Sequence, residues 1–128
     1  MKSRNAEIFE RLTQKVRECP REPITLDQAA REEGLSASRL HQIFAEEQGE
    51  NFGAFIRRAR VEYACGLMRA FKEWSCTQIA YEAGFSESSD FSRSFKRHFG
   101  IAPSAWDRFV PLGKRMSVLK NRIAPDER

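Results

Sequence analysis

The chain has 128 residues, 41% of them hydrophobic, which suffices for the core of one domain or two small lobes. A formal net charge of +4 and a pI of about 9.2 are compatible with a polyanionic partner. The sequence contains no 18-residue apolar run and no signal-peptide core, so we expect a soluble cytoplasmic protein without membrane association.

The three cysteines, Cys19, Cys65 and Cys76, are odd in number and far apart in the chain. No CxxC or Cys/His spacing typical of a metal site occurs. We therefore expect free thiols in a reducing compartment, and no metal ion or other cofactor.

The first predicted element is a helix over residues 6–18. Its apolar residues recur on one helical face: Ile8, Phe9, Leu12 and Val16. Pro20 and Pro23 follow and end the helix. We assign it to an amino-terminal lobe spanning residues 6–50.

The same lobe contains a predicted helix-turn-helix, roughly over residues 25–49. Thr25 and Gln28 have the spacing of a capping box, in which each side chain satisfies a free backbone N–H at a helix start. Gly34 supplies the positive φ that the turn requires. Ala30 provides a small side chain where the two helices cross. We interpret Ala30 and Gly34 as structural turn residues.

The second helix of this unit is the first candidate recognition helix. Ser36 takes the capping position before it, and Gly49 closes it. Leu40 and Phe44 lie four residues apart and form an apolar stripe.

A long linker helix is predicted over residues 51–74, with Asn51 as its cap. Its inward face would carry Phe52, Phe55, Ile56, Ala59, Tyr63 and Leu67. A rise of about 1.5 Å per residue makes such a helix roughly 34 Å long. One turn of B-DNA is also roughly 34 Å, so a rigid connector of this length would suit two recognition helices in successive major grooves.

Residues 75–100 repeat the helix-turn-helix pattern. Ser75 and Gln78 form a second capping box, and Ala80 and Gly84 repeat the turn residues. These elements lie fifty residues after their counterparts in the first unit. A duplicated unit of this kind suits a protein that binds DNA through two recognition helices.

The second candidate recognition helix follows Ser86, which we expect to cap it. Its apolar stripe consists of Phe91, Phe95 and Phe99. Beyond the turn the offset between the two units is fifty-one residues, so one residue has been inserted near the start of this helix.

The carboxyl-terminal lobe is predicted to span residues 75–110. Pro103 suits the first turn of a short last helix through Trp106 and Phe109. Residues 111–128 read as a basic tail or a linker.

Two runs of the sequence carry a family resemblance. Residues Ile79–Ser104 read IAYEAGFSESSDFSRSFKRHFGIAPS, and residues Phe55–Met68 read FIRRARVEYACGLM. The first run resembles the signature of the AraC/XylS family of bacterial transcription activators. The second is similar to the linker-helix pattern of that family. The resemblance covers about residues 6–109.

The resemblance implies an all-α fold with about seven helices, in two helix-turn-helix lobes joined by a long linker helix. It implies that both recognition helices enter successive major grooves of double-stranded DNA, and that activation occurs through contact with RNA polymerase. A chain this short resembles the stand-alone, monomeric MarA/SoxS type. The carboxyl-terminal stretch also resembles the linker to a small-molecule-binding domain in longer relatives, so a fragment of a ligand-responsive regulator stays open.

Carried over by position, the resemblance identifies base-reading residues in both recognition helices. These are Ser38, Arg39, His41 and Gln42 in the first helix, and Ser88, Ser89, Ser92 and Arg93 in the second. The side-chain chemistry agrees, because Gln can bond bidentately to adenine and Arg to guanine. The alternative for these polar positions is a solvated helix face.

Four cations are candidates for DNA phosphate contacts: Arg57, Arg58, Lys96 and Arg97. For each of them an ordinary surface charge is the alternative. Arg60, three residues after Arg57, is either a further phosphate candidate or, as the family resemblance implies, a structural residue that forms an ion pair with a carboxylate in a lobe.

Charge is distributed unevenly between the predicted segments. Residues 25–49 carry a net charge of −3, residues 51–74 a net charge of +3, and residues 75–100 a net charge of zero. We therefore hypothesise that the first lobe binds DNA weakly by itself.

Two other classes of function compete with DNA reading. A helical protein-interaction module would use the same exposed faces for a protein partner, although the duplicated unit argues against it. An enzyme is disfavoured because the only histidines, His41 and His98, lie in separate lobes and no nucleophile–base pair is evident. His98, beside the phenylalanine stripe, reads as a packing or capping histidine.

Overall fold

The structure is a computed structural model that describes residues 3–106. These residues form six helices and no strand: α1 Arg4–Glu18, α2 Leu26–Glu32, α3 Ala37–Glu47, α4 Phe52–Ala70, α5 Cys76–Glu82 and α6 Ser88–Phe99. The predicted all-α class is thus confirmed. Of the predicted seventh helix, residues 103–105 form turns, and its remainder beyond Trp106 lies outside the described residues, as does the predicted tail over 111–128.

The chain divides into two compact units at the peptide bond between Arg60 and Val61. The division falls inside α4, so this helix contributes side chains to each unit. It ends at Ala70, four residues before the predicted end at Trp74. With 19 residues it is about 28 Å long, shorter than predicted.

Side-chain caps begin α2 and α3, as their sequences predict. The hydroxyl of Thr25 accepts a hydrogen bond from the Gln28 backbone N–H at 3.2 Å, and the hydroxyl of Ser36 accepts one from Arg39 at 3.0 Å. Only half of the predicted capping box forms here: the Gln28 side chain accepts no hydrogen bond from the Thr25 backbone N–H, and its Nε2 donates to Glu32 at 3.3 Å.

The core of the first unit centres on Phe44, which is fully buried. Its ring meets Phe9 of α1 at 5.1 Å between centroids, and Phe52 and Phe55 of α4 at 5.4 and 5.1 Å, all edge to face. Such contacts add to the hydrophobic gain from burial. They fix α3 against its neighbours, and so decide which side of α3 stays in water.

The second unit is built on a different stripe of α4. Val61, Ala64, Cys65 and Met68 are buried there, whereas the predicted inward residues Tyr63 and Leu67 are only partly buried. A single inward face was therefore the wrong interpretation, because each unit buries its own side of the helix. The predicted stripe of α6 is confirmed, since its three phenylalanines are all buried: Phe91, Phe95 and Phe99.

Both helix-turn-helix turns contain a glycine at positive φ and the same backbone hydrogen bond. Gly34 and Gly84 adopt positive φ angles of 73° and 97°, which glycine tolerates without steric cost. In each turn the residue after the glycine donates its N–H to a buried alanine five residues earlier: Leu35 to Ala30 at 2.8 Å and Phe85 to Ala80 at 3.0 Å.

The start of α6 differs from the prediction. Its capping position is Glu87 and not Ser86, and no side chain caps it. Since α3 begins at Ala37 and α6 at Ser88, the helices themselves are fifty-one residues apart. The inserted residue therefore lies in the turn and moves Ser86 out of the capping position.

Candidate nucleic-acid interface

Helix α3 presents a polar face to solvent because its apolar residues are used in the core. Leu40, Ile43 and Phe44 are buried on one side. The four predicted base-reading residues of this helix are all exposed: Ser38, Arg39, His41 and Gln42. The structure thus brings these residues together on one surface of the first unit.

Three side chains of this face are linked by hydrogen bonds. The Arg39 guanidinium donates from Nη1 to Oε1 of Gln42 at 3.2 Å, and Nε2 of Gln42 donates to Oε2 of Glu46 at 2.9 Å. These residues lie three and four positions apart, the spacings at which helical side chains meet.

Helix α6 presents the corresponding face of the second unit, opposite its phenylalanine stripe. Ser88, Ser89 and Arg93 are exposed and Ser92 is partly buried. Arg93 approaches Asp90 on the same helix, with Nη2 3.7 Å from Oδ1. Both side chains are open to water, so the pair is weak and Arg93 stays available.

Counting from the helix starts matches the two faces position by position. Ser38 matches Ser89, His41 matches Ser92, and Gln42 matches Arg93. Ser88 is the first residue of α6 and corresponds to Ala37, so it does not occupy the position of Ser38. Arg39 corresponds to Asp90, a residue absent from the predicted set.

The four predicted phosphate contacts differ in how freely they can act. Lys96 and Arg97 are exposed in the last turn of α6, where the helix dipole also favours cations. Arg57 is partly buried. The Arg58 guanidinium instead lies 2.7 Å from the Glu50 carboxylate and 5.2 Å from the centroid of the Phe55 ring.

Arg60 has a structural role of a different kind from the expected one. Its Nη2 donates to the backbone carbonyl of Glu22 at 3.1 Å, and not to a carboxylate. Its Nε is buried and makes no hydrogen bond within the described residues. Burial lowers the pKa of Arg60 from its ordinary value. The side chain therefore ties the segment between α1 and α2 to α4.

The two histidines occupy unlike environments. His41 is exposed on α3. His98 packs edge to face on Phe99 at 4.6 Å between centroids, with Nε2 3.4 Å from a carboxylate oxygen of Glu62. Within residues 3–106, no group of three or more His, Cys, Asp or Glu side chains is placed to hold a metal ion. None of the helices in that range is long and apolar enough to cross a membrane.

Sequence reasoning missed the acidic partners on these surfaces. Glu46 holds Gln42, Asp90 approaches Arg93, and Glu50 holds Arg58. The first two pairs have helical spacings of four and three residues, which the sequence displays. The third joins a loop residue to α4 and has no local signal.

Comparison with known proteins matches this chain to a helix-turn-helix family. A helix-turn-helix domain model matches residues 29–108. A probable transcription factor of Proteus vulgaris, PqrA, is 34% identical over 83 residues, covering 65% of this chain and 67% of PqrA. The virulence regulon transcriptional activator VirF of Yersinia enterocolitica is 38% identical over 79 residues, covering 62% of this chain and 29% of VirF.

A solved structure shows the same fold. It is a transcriptional regulator of Chromobacterium violaceum with an AraC-type DNA-binding domain, and the TM-score is 0.68 at 22% identity. The match covers 94% of this chain and 96% of that one. The match covers 20% and 28% of the length of two further curated relatives.

Proposed function

We propose, since this chain belongs to the AraC-type helix-turn-helix family, that it binds double-stranded DNA sequence-specifically and regulates transcription. One observation carries the proposal. The two helix-turn-helix units present polar faces at the same helical register, each opposite a buried stripe. The second helix of such a unit is the element that enters the major groove.

In the proposed mechanism, α3 and α6 enter successive major grooves and read base edges. Gln42 bonds to adenine N6 and N7, and Arg93 bonds to guanine O6 and N7. The serine hydroxyls and His41 form hydrogen bonds with polar groups on neighbouring base edges.

Phosphate contacts hold the chain in register on the duplex without reading sequence. Lys96 and Arg97 are best placed for this role, because both are exposed at the end of α6. Arg57 supplies a further cation from the first turns of α4. Arg58 would first have to leave Glu50, so we assign it a lesser part.

Regulation by this chain would be activation, through contact with RNA polymerase. The relative VirF is itself described as an activator. We assign the chain no enzymatic role, and we place it in the cytoplasm, where bacterial promoter DNA lies. As a stand-alone protein it would act as a monomer, since one chain already holds two reading helices.

A second candidate is the DNA-reading module of a longer, ligand-responsive regulator. The small share of VirF that this chain matches favours it. The DNA-reading chemistry is the same in both cases, and what differs is whether a second domain controls it. A helical protein-interaction module would use the same faces but would show no sequence preference on DNA.

The test is a selection from genomic fragments, followed by fluorescence anisotropy titration of the winning sites at several salt concentrations. We expect a bipartite motif with half-sites about 10 base pairs apart, and affinity that falls steeply with salt. Arg93→Ala should weaken binding, whereas the matched control Arg17→Ala on α1 should not. Weak binding without sequence preference would contradict the proposal.

A further inference from the structure

Glu46 is a carboxylate on the helix face that we propose to meet DNA. It is exposed, one turn beyond Gln42, and its Oε2 accepts the hydrogen bond from Gln42 Nε2 at 2.9 Å. A negative charge close to the phosphate backbone opposes binding. The hydrogen bond with Gln42 can offset that cost if it orients the Gln42 amide for base contact.

The neighbours of Gln42 allow its amide only one orientation. A guanidinium can only donate hydrogen bonds, and an ionised carboxylate can only accept them. The amide oxygen must therefore face Arg39 and the amide nitrogen must face Glu46. The flipped amide would set two donors against each other on one side and two acceptors on the other.

An amide held in this way keeps the groups that adenine needs. Gln42 Nε2 retains its second N–H, and Oε1 retains its second lone pair. Adenine presents an acceptor at N7 and a donor at N6, which together require one donor and one acceptor in a fixed order. Fixing the amide before binding also reduces the entropy lost on binding.

We propose that Glu46 is a positioning residue that fixes the Gln42 amide and thereby sets the base preference of the first unit. This inference rests on the proposed DNA-binding function. It concerns specificity more than affinity, because Glu46 itself repels phosphate.

The second unit supports the assignment by contrast. Arg97 occupies the position of Glu46, and Arg93 the position of Gln42. An amide can be flipped so that its donor and acceptor exchange places, but a planar guanidinium carries only donors. Arg93 therefore needs no neighbour to fix its orientation. The position that carries a carboxylate in α3 is therefore free to carry a cation in α6.

The test compares four variants on one selected site. Glu46→Ala removes the contact, and Glu46→Gln removes the charge but keeps an oxygen that can accept. Glu47→Ala is the matched control, because it also removes one negative charge from the same helix. The Glu47 carboxylate accepts a hydrogen bond from Asn5 and not from Gln42. Gln42→Ala identifies the base pair that Gln42 contacts. It is the base pair whose substitution no longer changes the affinity of this variant.

At that base pair, Glu46→Ala should reduce discrimination by about threefold to tenfold, the effect expected for one lost hydrogen bond. Glu46→Gln should keep most of the discrimination. Glu47→Ala should leave the discrimination unchanged and raise affinity for all sites alike. In the DNA-free chain, Glu46→Ala should move the NMR signals of the Gln42 side-chain amide, whereas Glu47→Ala should not.

Two different failures can be told apart. If the unaltered chain binds its sites with full specificity but Glu46→Ala behaves like Glu47→Ala, the positioning role is wrong and DNA reading stands. A Gln42→Ala variant that loses no base preference would also overturn the positioning role. If the unaltered chain has no sequence preference, the proposed function fails, and this inference fails with it.

Discussion

Gln42 and Arg93 occupy the same position in their two helices, each five residues after the first helical residue. One position therefore carries a neutral amide in the first unit and a cation in the second. Gln42 is held by two neighbours on its own helix, whereas Arg93, with 67% of its side chain exposed, has a weak contact with Asp90.

The first prediction concerns the affinities that these two residues contribute. Arg93→Ala should weaken binding to the selected site by about 10- to 100-fold, since it removes both a bidentate base contact and a positive charge. Gln42→Ala should cost less affinity and should leave the salt slope unchanged. Anisotropy titration at three salt concentrations measures both quantities. Equal losses for the two variants would contradict the hypothesis of a weakly binding first lobe.

The second prediction concerns helix capping. Ser36→Ala should lower the free energy of unfolding by about 1 kcal/mol, because the Ser36 hydroxyl caps α3. Ser86→Ala is the matched control and should change it by less than about 0.5 kcal/mol, because Ser86 lies outside the capping position of α6. Urea unfolding of both variants tests this. A larger effect at Ser86 would show that Ser86, and not Glu87, occupies the capping position of α6.

The third prediction concerns the core of the first unit. Phe44→Ala should destabilise the protein by about 3–5 kcal/mol, because it leaves a cavity among the rings of Phe9, Phe52 and Phe55. Phe71→Ala, at a residue that is 38% exposed, should cost much less. Thermal unfolding followed by circular dichroism compares them. Similar losses would mean that Phe44 is not the centre of the core.

The fourth prediction concerns pH and the ion pair of Arg11 with Glu33. Two nitrogens of Arg11 donate to the two carboxylate oxygens of Glu33 at 2.7 and 2.8 Å. Hydrogen bonding by Arg11 lowers the pKa of Glu33 below its ordinary value of 4.5, and the charge attraction adds to it. The pair therefore contributes stability above about pH 4.5, and this is lost as the pH falls through the lower pKa of the folded state.

Glu33→Gln should accordingly lower Tm at pH 7, and the difference from the unaltered chain should shrink at acidic pH. Arg11→Gln should have a similar effect, and the double variant should lose less than the two single losses together. Additive losses would show that the two residues do not act as a pair.

The sequence by itself determined the approximate places of the six helices, and the inner and outer faces of α3 and α6. Thr25, Ser36 and Ser75 mark helix starts through contacts with backbone groups three residues away. Gly34 and Gly84 mark the turns through their φ angles. These signals are readable because capping, turn geometry and amphipathic spacing act within a few residues of the chain.

Only the tertiary structure decided how the shared helix and its polar partners are used. The buried stripe of α4 changes between Ala59 and Val61, because two separate cores each bury the side that they contact. Arg60 meets the Glu22 carbonyl, 38 residues away in the chain. Arg58 meets Glu50 at a spacing of eight residues, across the start of a helix. Such partners are set by the packing of one element against another, and no local spacing in the sequence encodes them.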